Sequence, residues 1–202
     1  MANNFFNAVK PNISANASAP TTVYTPSGIK AIAIKLDAAN KSTAGVTITV
    51  SIEDNSANAS ATAATVSSAA NGTFTDSSHG LVVGDRLLFA FNTAPNISSG
   101  STDSALLNTK IYYVQAADTN TFHIAETRSA GTPIKFSSAG VSITYIKKSI
   151  SDIVRDAPVP VGGALKVIAG QKLVLEASDK LYAHCSSANN VDVVASVLAD
   201  VS

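Results

Sequence analysis

The chain has 202 residues and a formal net charge of zero, and only 14% of its residues are charged, well below the roughly 25% of an average soluble domain. Nucleic-acid binders depend on Lys and Arg clusters that neutralise phosphates, and the sequence has no basic stripe of that kind, so we expect no nucleic-acid partner. No apolar run approaches the ~20 residues of a membrane-spanning helix. A single cysteine, Cys185, excludes an internal disulfide.

The N-terminal segment differs in style from the rest of the chain. Residues 1–20 are polar and rich in alanine, with Pro11 and Pro20, and they predict an extended arm. The exception is the aromatic pair Phe5 and Phe6. Such a pair either packs into the protein's own core or anchors the arm in a neighbouring subunit, and both possibilities remain open. Phe5 and Phe6 are therefore the predicted interaction residues.

From residue 21 onward the pattern is that of short strands. Residues 22–24 predict a strand, and residues 29–36 predict another with Ile32, Ile34 and Leu36 on one face. Residues 46–53 alternate cleanly between apolar and polar side chains, which is typical of a strand with one buried face. We expect Ile48 and Val50 in the core, and the opposite face in solvent, with Thr47, Thr49, Ser51 and Glu53.

The middle of the chain predicts a second domain. Residues 54–70 are a low-complexity stretch of Ala, Ser, Asn and Thr, which indicates a connection. Residues 111–114 and 121–125 flank a turn and predict a hairpin, whereas strands of the first style return from residue 141. The predicted fold is all-β. Residues 21–64 and 143–202 form an antiparallel β-sandwich, which we expect to be the domain that attaches the protein to its partners. A small β-barrel of residues 66–142 is inserted into one of the hairpins of the sandwich.

Residue types with catalytic or metal-binding chemistry are present but scattered. The three histidines, His79, His123 and His184, lack metal-ligand spacing, and neighbouring strand residues such as His184 and Cys185 point to opposite faces. We expect Cys185 to be a buried small apolar side chain and His79 to be a turn residue. Asp76-Ser77-Ser78-His79 contains the residue types of a hydrolase triad, but we expect no catalytic site there. Glu53-Asp54-Asn55 contains oxygen ligands suited to calcium, but we expect a solvated strand end and no metal site.

Two sets of turn and strand signatures resemble known proteins. The framing part resembles small β-sandwich virion proteins of tailed bacteriophages, through Thr22-Val23-Tyr24, Pro26-Ser27-Gly28, Val46-Thr47-Ile48-Thr49-Val50, Ala157-Pro158-Val159-Pro160, Gly162-Gly163, Leu173-Val174-Leu175-Glu176-Ala177 and residues 191–198. The insert is similar to a β-barrel module of phage structural proteins that also occurs, without a chemical role, in ubiquitin-activating enzymes. The residues concerned are His79-Gly80-Leu81-x-x-Gly84-Asp85, Tyr112-Tyr113-Val114 and Asn120-Thr121-Phe122-His123-Ile124.

The resemblance implies a non-enzymatic structural component of a tailed-phage virion, assembled in the host cytoplasm. The leading hypothesis is a capsid decoration or cement protein, and the alternative is a neck, collar or tail accessory protein. A second alternative, a carbohydrate-binding receptor module, would need an exposed Tyr112 or Tyr113. The expected partners are other virion proteins and further copies of the chain in a homo-oligomer, with no cofactor, nucleic acid or membrane.

Overall fold

The structure is a computed structural model that describes residues 4–128 and 131–201. Within them the regular elements are strands, and every paired strand is antiparallel, so the predicted all-β antiparallel fold is confirmed. The strands in chain order are β1 (Asn4–Lys10), β2 (Thr21–Tyr24), β3 (Lys30–Asn40), β4 (Val46–Glu53), β5 (Thr62–Ser68), β6 (Thr73–Thr75), β7 (Arg86–Ala90), β8 (Ile97–Ser99), β9 (Ile111–Ala117), β10 (Thr121–Ala125), β11 (Lys135–Phe136), β12 (Ile143–Lys148), β13 (Ile150–Val159), β14 (Ala164–Glu176), β15 (Lys180–Cys185) and β16 (Val191–Ala199).

The first of two compact units comprises Met1–Ala57 and Ser149–Ser202. It contains two four-stranded sheets, with strand orders β1-β16-β3-β14 and β13-β4-β15-β2. Alternate residues of both sheets contribute to one core of small and branched apolar side chains, including Leu36, Ile48, Leu175, Ala183 and Val193. This is the sandwich arrangement, in which each sheet buries one face.

The second unit, Asn58–Lys148, has its own core. Six strands close into a barrel in the order β10-β6-β5-β12-β7-β9, and β8 pairs with β11. Aromatic rings fill the interior: Phe74 lies 5.2 Å from both Phe89 and Phe122, measured between ring centroids, and stacks on Phe122 with an interplanar angle of 10°. The sequence-based boundaries differ from these units, because β5 and β12 pair with each other and with barrel strands. The supposed connection 54–70 therefore contains a barrel strand, and residues 143–148 do not belong to the sandwich.

The predicted N-terminal arm is for the most part a component of the sandwich. Residues 4–10 form β1, which pairs with β16 over its whole length. After it, Ile13 is fully buried, and its backbone N–H donates to the Val191 carbonyl at 3.0 Å. Alternating side chains of β1 meet the core, and this apolar contact explains why the segment is not extended in solvent. The predicted residues 1–3 lie outside the described residues.

Two predicted strand faces need correction. In β4, Ile48 and Val50 are buried as predicted, but so are Thr49, Ser51 and Glu53, and Thr47 is half-buried. The reason is that β4 is a central strand: Ser51 Oγ, for example, donates to Asp152 Oδ1 of neighbouring β13 at 2.8 Å. In β3 the inward residues near the start are Ala31 and Ala33 rather than Ile32 and Ile34, because a bulge shifts the register between this segment and Leu36.

Candidate interaction surface

The aromatic pair of β1 divides between the two faces of its sheet. Phe6 points inward, where it packs against the sandwich core and makes an edge-to-face contact with Tyr24 at 5.8 Å between ring centroids. Phe5 points outward and is 61% exposed. Successive residues of a strand alternate in direction, so one ring of the pair anchors β1 in its own sandwich while the other remains available at the surface.

Phe5 is the first member of an apolar row that crosses the entire sheet. It lies opposite Leu198 on β16, Leu198 lies opposite Ile32 on β3, and Ile32 lies opposite Val174 on β14. Val174 is 52% exposed, and the two central members are half-buried. We call these four residues, Phe5, Leu198, Ile32 and Val174, the outer row. Isolated exposed apolar residues are ordinary, whereas large contiguous apolar patches are typical of interaction sites.

Polar pairs border the outer row on both sides. On one side Ser196 Oγ donates to Asn7 Oδ1 at 2.8 Å, and on the other the ammonium of Lys30 lies 3.3 Å from the Glu176 carboxylate. Beyond Asn7, the exposed Val9 faces Val194 and adds a second apolar pair at the β1 edge. An apolar centre with a hydrogen-bonded polar rim is the composition of a protein-binding surface.

Sequence reasoning found Phe5 but missed the other three members of the outer row. Leu198, Ile32 and Val174 belong to strands that are distant in sequence, and their alignment follows from cross-strand register. The bulge in β3 turns Ile32 outward, against the predicted direction. A weak local signal was available at β14, where Val174 lies between Leu173 and Leu175, so an apolar residue must face away from the core.

The other residues whose side chains could take part in catalysis or metal binding have structural partners. His79 Nδ1 accepts a hydrogen bond from the Leu81 backbone N–H at 2.9 Å and its Nε2 lies 3.2 Å from the Thr121 carbonyl, the arrangement of the predicted turn residue. Asp76 accepts a hydrogen bond from the Tyr145 hydroxyl at 2.6 Å. These contacts join β-strands and loops of the barrel, and no hydrogen bond within the residues that the structure describes couples Asp76 to His79.

Glu53 is not the solvated strand end that the sequence suggested. Its side chain is fully buried, and its carboxylate accepts a hydrogen bond from the Tyr182 hydroxyl at 2.7 Å, with the Lys180 ammonium 3.9 Å away. Burial, reinforced by the Glu53 carboxylate, raises the pKa of the Tyr182 hydroxyl. Asp54, next in the chain, accepts hydrogen bonds from Ser56 and from the Ala57 N–H instead, so the two carboxylates serve different structural purposes.

Cys185 is buried, as predicted, and burial raises the pKa of its thiol, which lowers the reactive thiolate fraction. His184 lines a small pocket with Thr49, Asp156 and Ser186, and Cys185 also borders this pocket. The Ser186 hydroxyl accepts from the Thr47 backbone N–H at 3.0 Å. Within residues 4–128 and 131–201 no group of three or more His, Cys, Asp or Glu side chains could hold a metal ion.

The signature of a carbohydrate-binding module is not met. Tyr112 is fully buried and Tyr113 is 4% exposed, so neither ring offers a face to a sugar. Burial raises the pKa of Tyr112 to about 12, and its hydroxyl accepts a hydrogen bond from the Leu107 backbone N–H at 2.9 Å. Both tyrosines belong to β9, which is a wall of the barrel.

Comparison with known proteins adds no assignment. The chain matches no protein-family model, no curated protein and no solved structure. In the part of the chain that the structure describes, no helix has the length and apolar character needed to cross a membrane. The outer row and its polar border are therefore the basis on which a function is proposed.

Proposed function

We propose that this chain is a non-enzymatic structural subunit of a tailed-phage virion, a capsid decoration protein that binds the protein lattice through the outer row. The single observation that carries the binding role is the contiguous apolar row across four strands, with its polar border. The placement in a virion is supported by the resemblance of the framing and inserted segments to phage structural proteins. Phe5, the most exposed member of the row, is the expected anchor, since buried aromatic side chains dominate interface energetics.

The experiment measures binding to capsids that lack the protein, and separately to isolated tails. Purified wild-type chain is compared with the double variant Phe5→Ser and Val174→Ser in co-sedimentation. The removal of the two most exposed apolar side chains of the outer row should weaken capsid binding at least about tenfold, which corresponds to about 1.4 kcal/mol. The matched control is Val83→Ser, because Val83 is 62% exposed but lies in the other unit, and it should bind like the wild type.

Each outcome of this experiment supports or contradicts the proposal. Capsid binding that the double variant loses supports a decoration protein, whereas binding to tails alone would move the protein to the neck or tail. Equal capsid binding by the wild type, the double variant and the Val83→Ser variant would remove the outer row from the attachment surface. A chain that binds neither particle would contradict the structural role, and in that case glycan-array binding would favour a receptor module.

A further inference from the structure

The four edge strands of the sandwich differ in how they are protected from pairing with another chain. An open strand edge presents unpaired backbone N–H and C=O groups, and proteins block such edges with proline, bulges, charge or short length. Three edges of the sandwich carry such devices. Strand β13 contains Pro158 and two bulges, β14 contains two bulges with Lys166 and Lys172 near them, and β2 is only four residues long.

Strand β1 is the exception. It is seven residues long, contains no proline, and pairs with β16 in an unbroken register from Asn4 to Lys10. Its only charge, Lys10, lies at its last position. Among the residues that the structure describes, no strand pairs with the other side of β1. This edge is therefore regular in its pairing and open to a further antiparallel strand.

We propose that β1 pairs antiparallel with β1 of a second copy, about a two-fold axis at Asn7, so that the two four-stranded sheets become one continuous sheet. A two-fold axis perpendicular to the sheet keeps the two cores on the same side, and it uses the same surface on both partners. The proposed occupant of the open edge is another molecule of this chain, and the sequence of β1 supports this choice.

The sequence of β1 is complementary to itself in this register. A two-fold axis at Asn7 is the one placement that pairs all seven residues, with Asn4 opposite Lys10 of the second copy. On the outer face Phe5 lies opposite Val9 of the second copy, an aromatic and β-branched pair of the kind that stabilises sheets. On the inner face Phe6 lies opposite Ala8, a large side chain against a small one.

Charge also favours this register. The only charged side chain of β1, Lys10, faces the neutral Asn4 of the second copy. Like charges directly opposite each other would destabilise the pair, and this register avoids them. Asn7 faces its own symmetry mate, and two amide side chains can donate to and accept from each other. The zero net charge of the chain leaves little long-range repulsion between copies.

The pairing extends the outer row as well. Phe5 and Val9 of one copy would meet Val9 and Phe5 of the other, so the exposed apolar groups at the β1 edge become continuous across the axis. The inference specifies the contact of the homo-oligomer that the sequence analysis expects. It goes beyond the proposed attachment to a capsid, because the contact itself involves only this chain. Purified protein can therefore test the contact independently of any virion.

The first test places charge on the axis. Asn7→Asp and Asn7→Lys each put two like charges opposite one another, whereas an equimolar mixture of the two variants puts opposite charges there. Each variant alone should sediment as a weaker dimer than the wild type, by about 1.5- to 5-fold in dissociation constant for a single cross-strand pair, and the mixture should recover or exceed wild-type dimerisation. A variant that merely misfolds would not recover on mixing. Ser196→Ala, which loses the hydrogen bond to Asn7, controls for that contact.

The second test maps the register with engineered disulfides. Directly opposed antiparallel residues have Cα atoms about 4.5–5.5 Å apart, within the range that a disulfide spans, so Asn7→Cys should cross-link to itself under mild oxidation. Phe5→Cys alone should not, because its symmetry mate lies about 13 Å away along the strand, but a mixture of Phe5→Cys and Val9→Cys should. Val174→Cys, on the opposite edge strand, is the control for random collision, and native Cys185 is buried.

The results separate the pairing from the proposed function. Cross-linking at Asn7→Cys well above Val174→Cys, together with charge rescue in the mixture, supports the two-fold pairing even if capsid binding fails. A wild-type chain that stays monomeric at millimolar concentration and gives no Asn7→Cys cross-link overturns the pairing even if capsids are bound. Efficient cross-linking of Phe5→Cys alone would overturn the two-fold register at Asn7.

Discussion

At the scale of single residues, the sandwich buries polar groups on a face that a simple alternation would leave in solvent. Thr49 shows how this works: its hydroxyl accepts a hydrogen bond from the Asp156 backbone N–H at 3.0 Å. Asp156 has a positive φ of 49° inside a bulge of β13, and the threonine satisfies a donor that the bulge takes out of the strand ladder. The polar side of β4 is therefore a bonded layer between neighbouring strands.

Two substitutions in adjacent positions of β4 should report these two environments. Ile48→Ala should lower the free energy of unfolding by about 2–5 kcal/mol, because it removes a fully buried aliphatic side chain and leaves a cavity. Thr49→Ala should lower it by about 0.5–1.5 kcal/mol through the lost hydrogen bonds, more than a surface substitution would. Urea denaturation followed by circular dichroism measures both. Equal losses would contradict the burial of Ile48 against the core, and no loss at Thr49 would contradict the bonded layer.

At the scale of strands, the sequence predicts the bounds of a strand and its buried face best where one face is apolar throughout and the strand has no bulge. Strand β4 begins and ends where the alternation of residues 46–53 indicates. Strand β3 does not follow the face predicted from its isoleucines. Small alanines face the core at its start, and a bulge before Leu36 reverses which side chains point inward. The partner of β1 could not be predicted either, since its pairing with β16 joins the two ends of the chain and leaves no local signal.

The barrel boundary was misplaced for a related reason. Residues 62–68 of β5 are mostly Ala, Thr and Ser, and of these only Ala64 is buried, with Val66 packed against the core. Composition alone cannot separate such a strand from a linker. It is recognisable only through its partners β6 and β12, and strand pairing is a long-range property.

The loop between β8 and β9 is held by an ionic cluster. The Lys110 ammonium lies 2.5 Å from Asp103 Oδ2 and 3.0 Å from Glu126 Oε1, and its side chain is 11% exposed. Burial by itself would lower the pKa of Lys110, but its hydrogen bonds to the two carboxylates outweigh burial and leave the pKa raised. The cluster thus attaches the loop to the end of β10.

Removal of the cation from this cluster should destabilise the second unit. Lys110→Met leaves two poorly solvated carboxylates without their partner, and we expect a loss of up to about 3–5 kcal/mol in unfolding free energy. The triple variant with Asp103→Asn and Glu126→Gln should recover most of that loss. The control is Lys147→Met, which breaks the more exposed ion pair with Asp85 and should cost under about 1 kcal/mol. Equal effects of the two lysine variants would contradict a special role for the cluster.

At the scale of the whole molecule, the candidate surface was only partly accessible to sequence reasoning. The aromatic pair stands out in a polar segment. Phe6 packs into the core, which is one of its two predicted fates, whereas Phe5 is exposed and its anchoring in a neighbouring subunit stays a prediction. What makes the surface more than one exposed ring is register, which aligns residues 5, 32, 174 and 198. That alignment depends on bulges whose positions the sequence does not reveal.

The organisation into two units predicts which deletion the sandwich tolerates. The sandwich strands β4 and β13 pair at their junction, with Glu53 opposite Ile150, and the Asp54 N–H donates to the Ser149 carbonyl at 2.9 Å. The chain ends left by removal of residues 58–148 are therefore already held close together, and a short Gly/Ser turn should join them. We expect this deletion variant to be soluble, to show β-type circular dichroism and to melt cooperatively.

The matched control removes residues 66–142, the insert as the sequence alone defined it. That variant retains β12 and most of β5, which pair with each other through Ile143 and Ala64, but it loses the other four barrel strands. Ile143 and Tyr145, both buried in the full chain, would then face solvent on a two-stranded hairpin, which is marginally stable by itself. The control should therefore aggregate or bind a hydrophobic dye, measured by light scattering and dye fluorescence, while the 58–148 deletion does neither. Aggregation of the 58–148 deletion would show that the sandwich needs the second unit to fold.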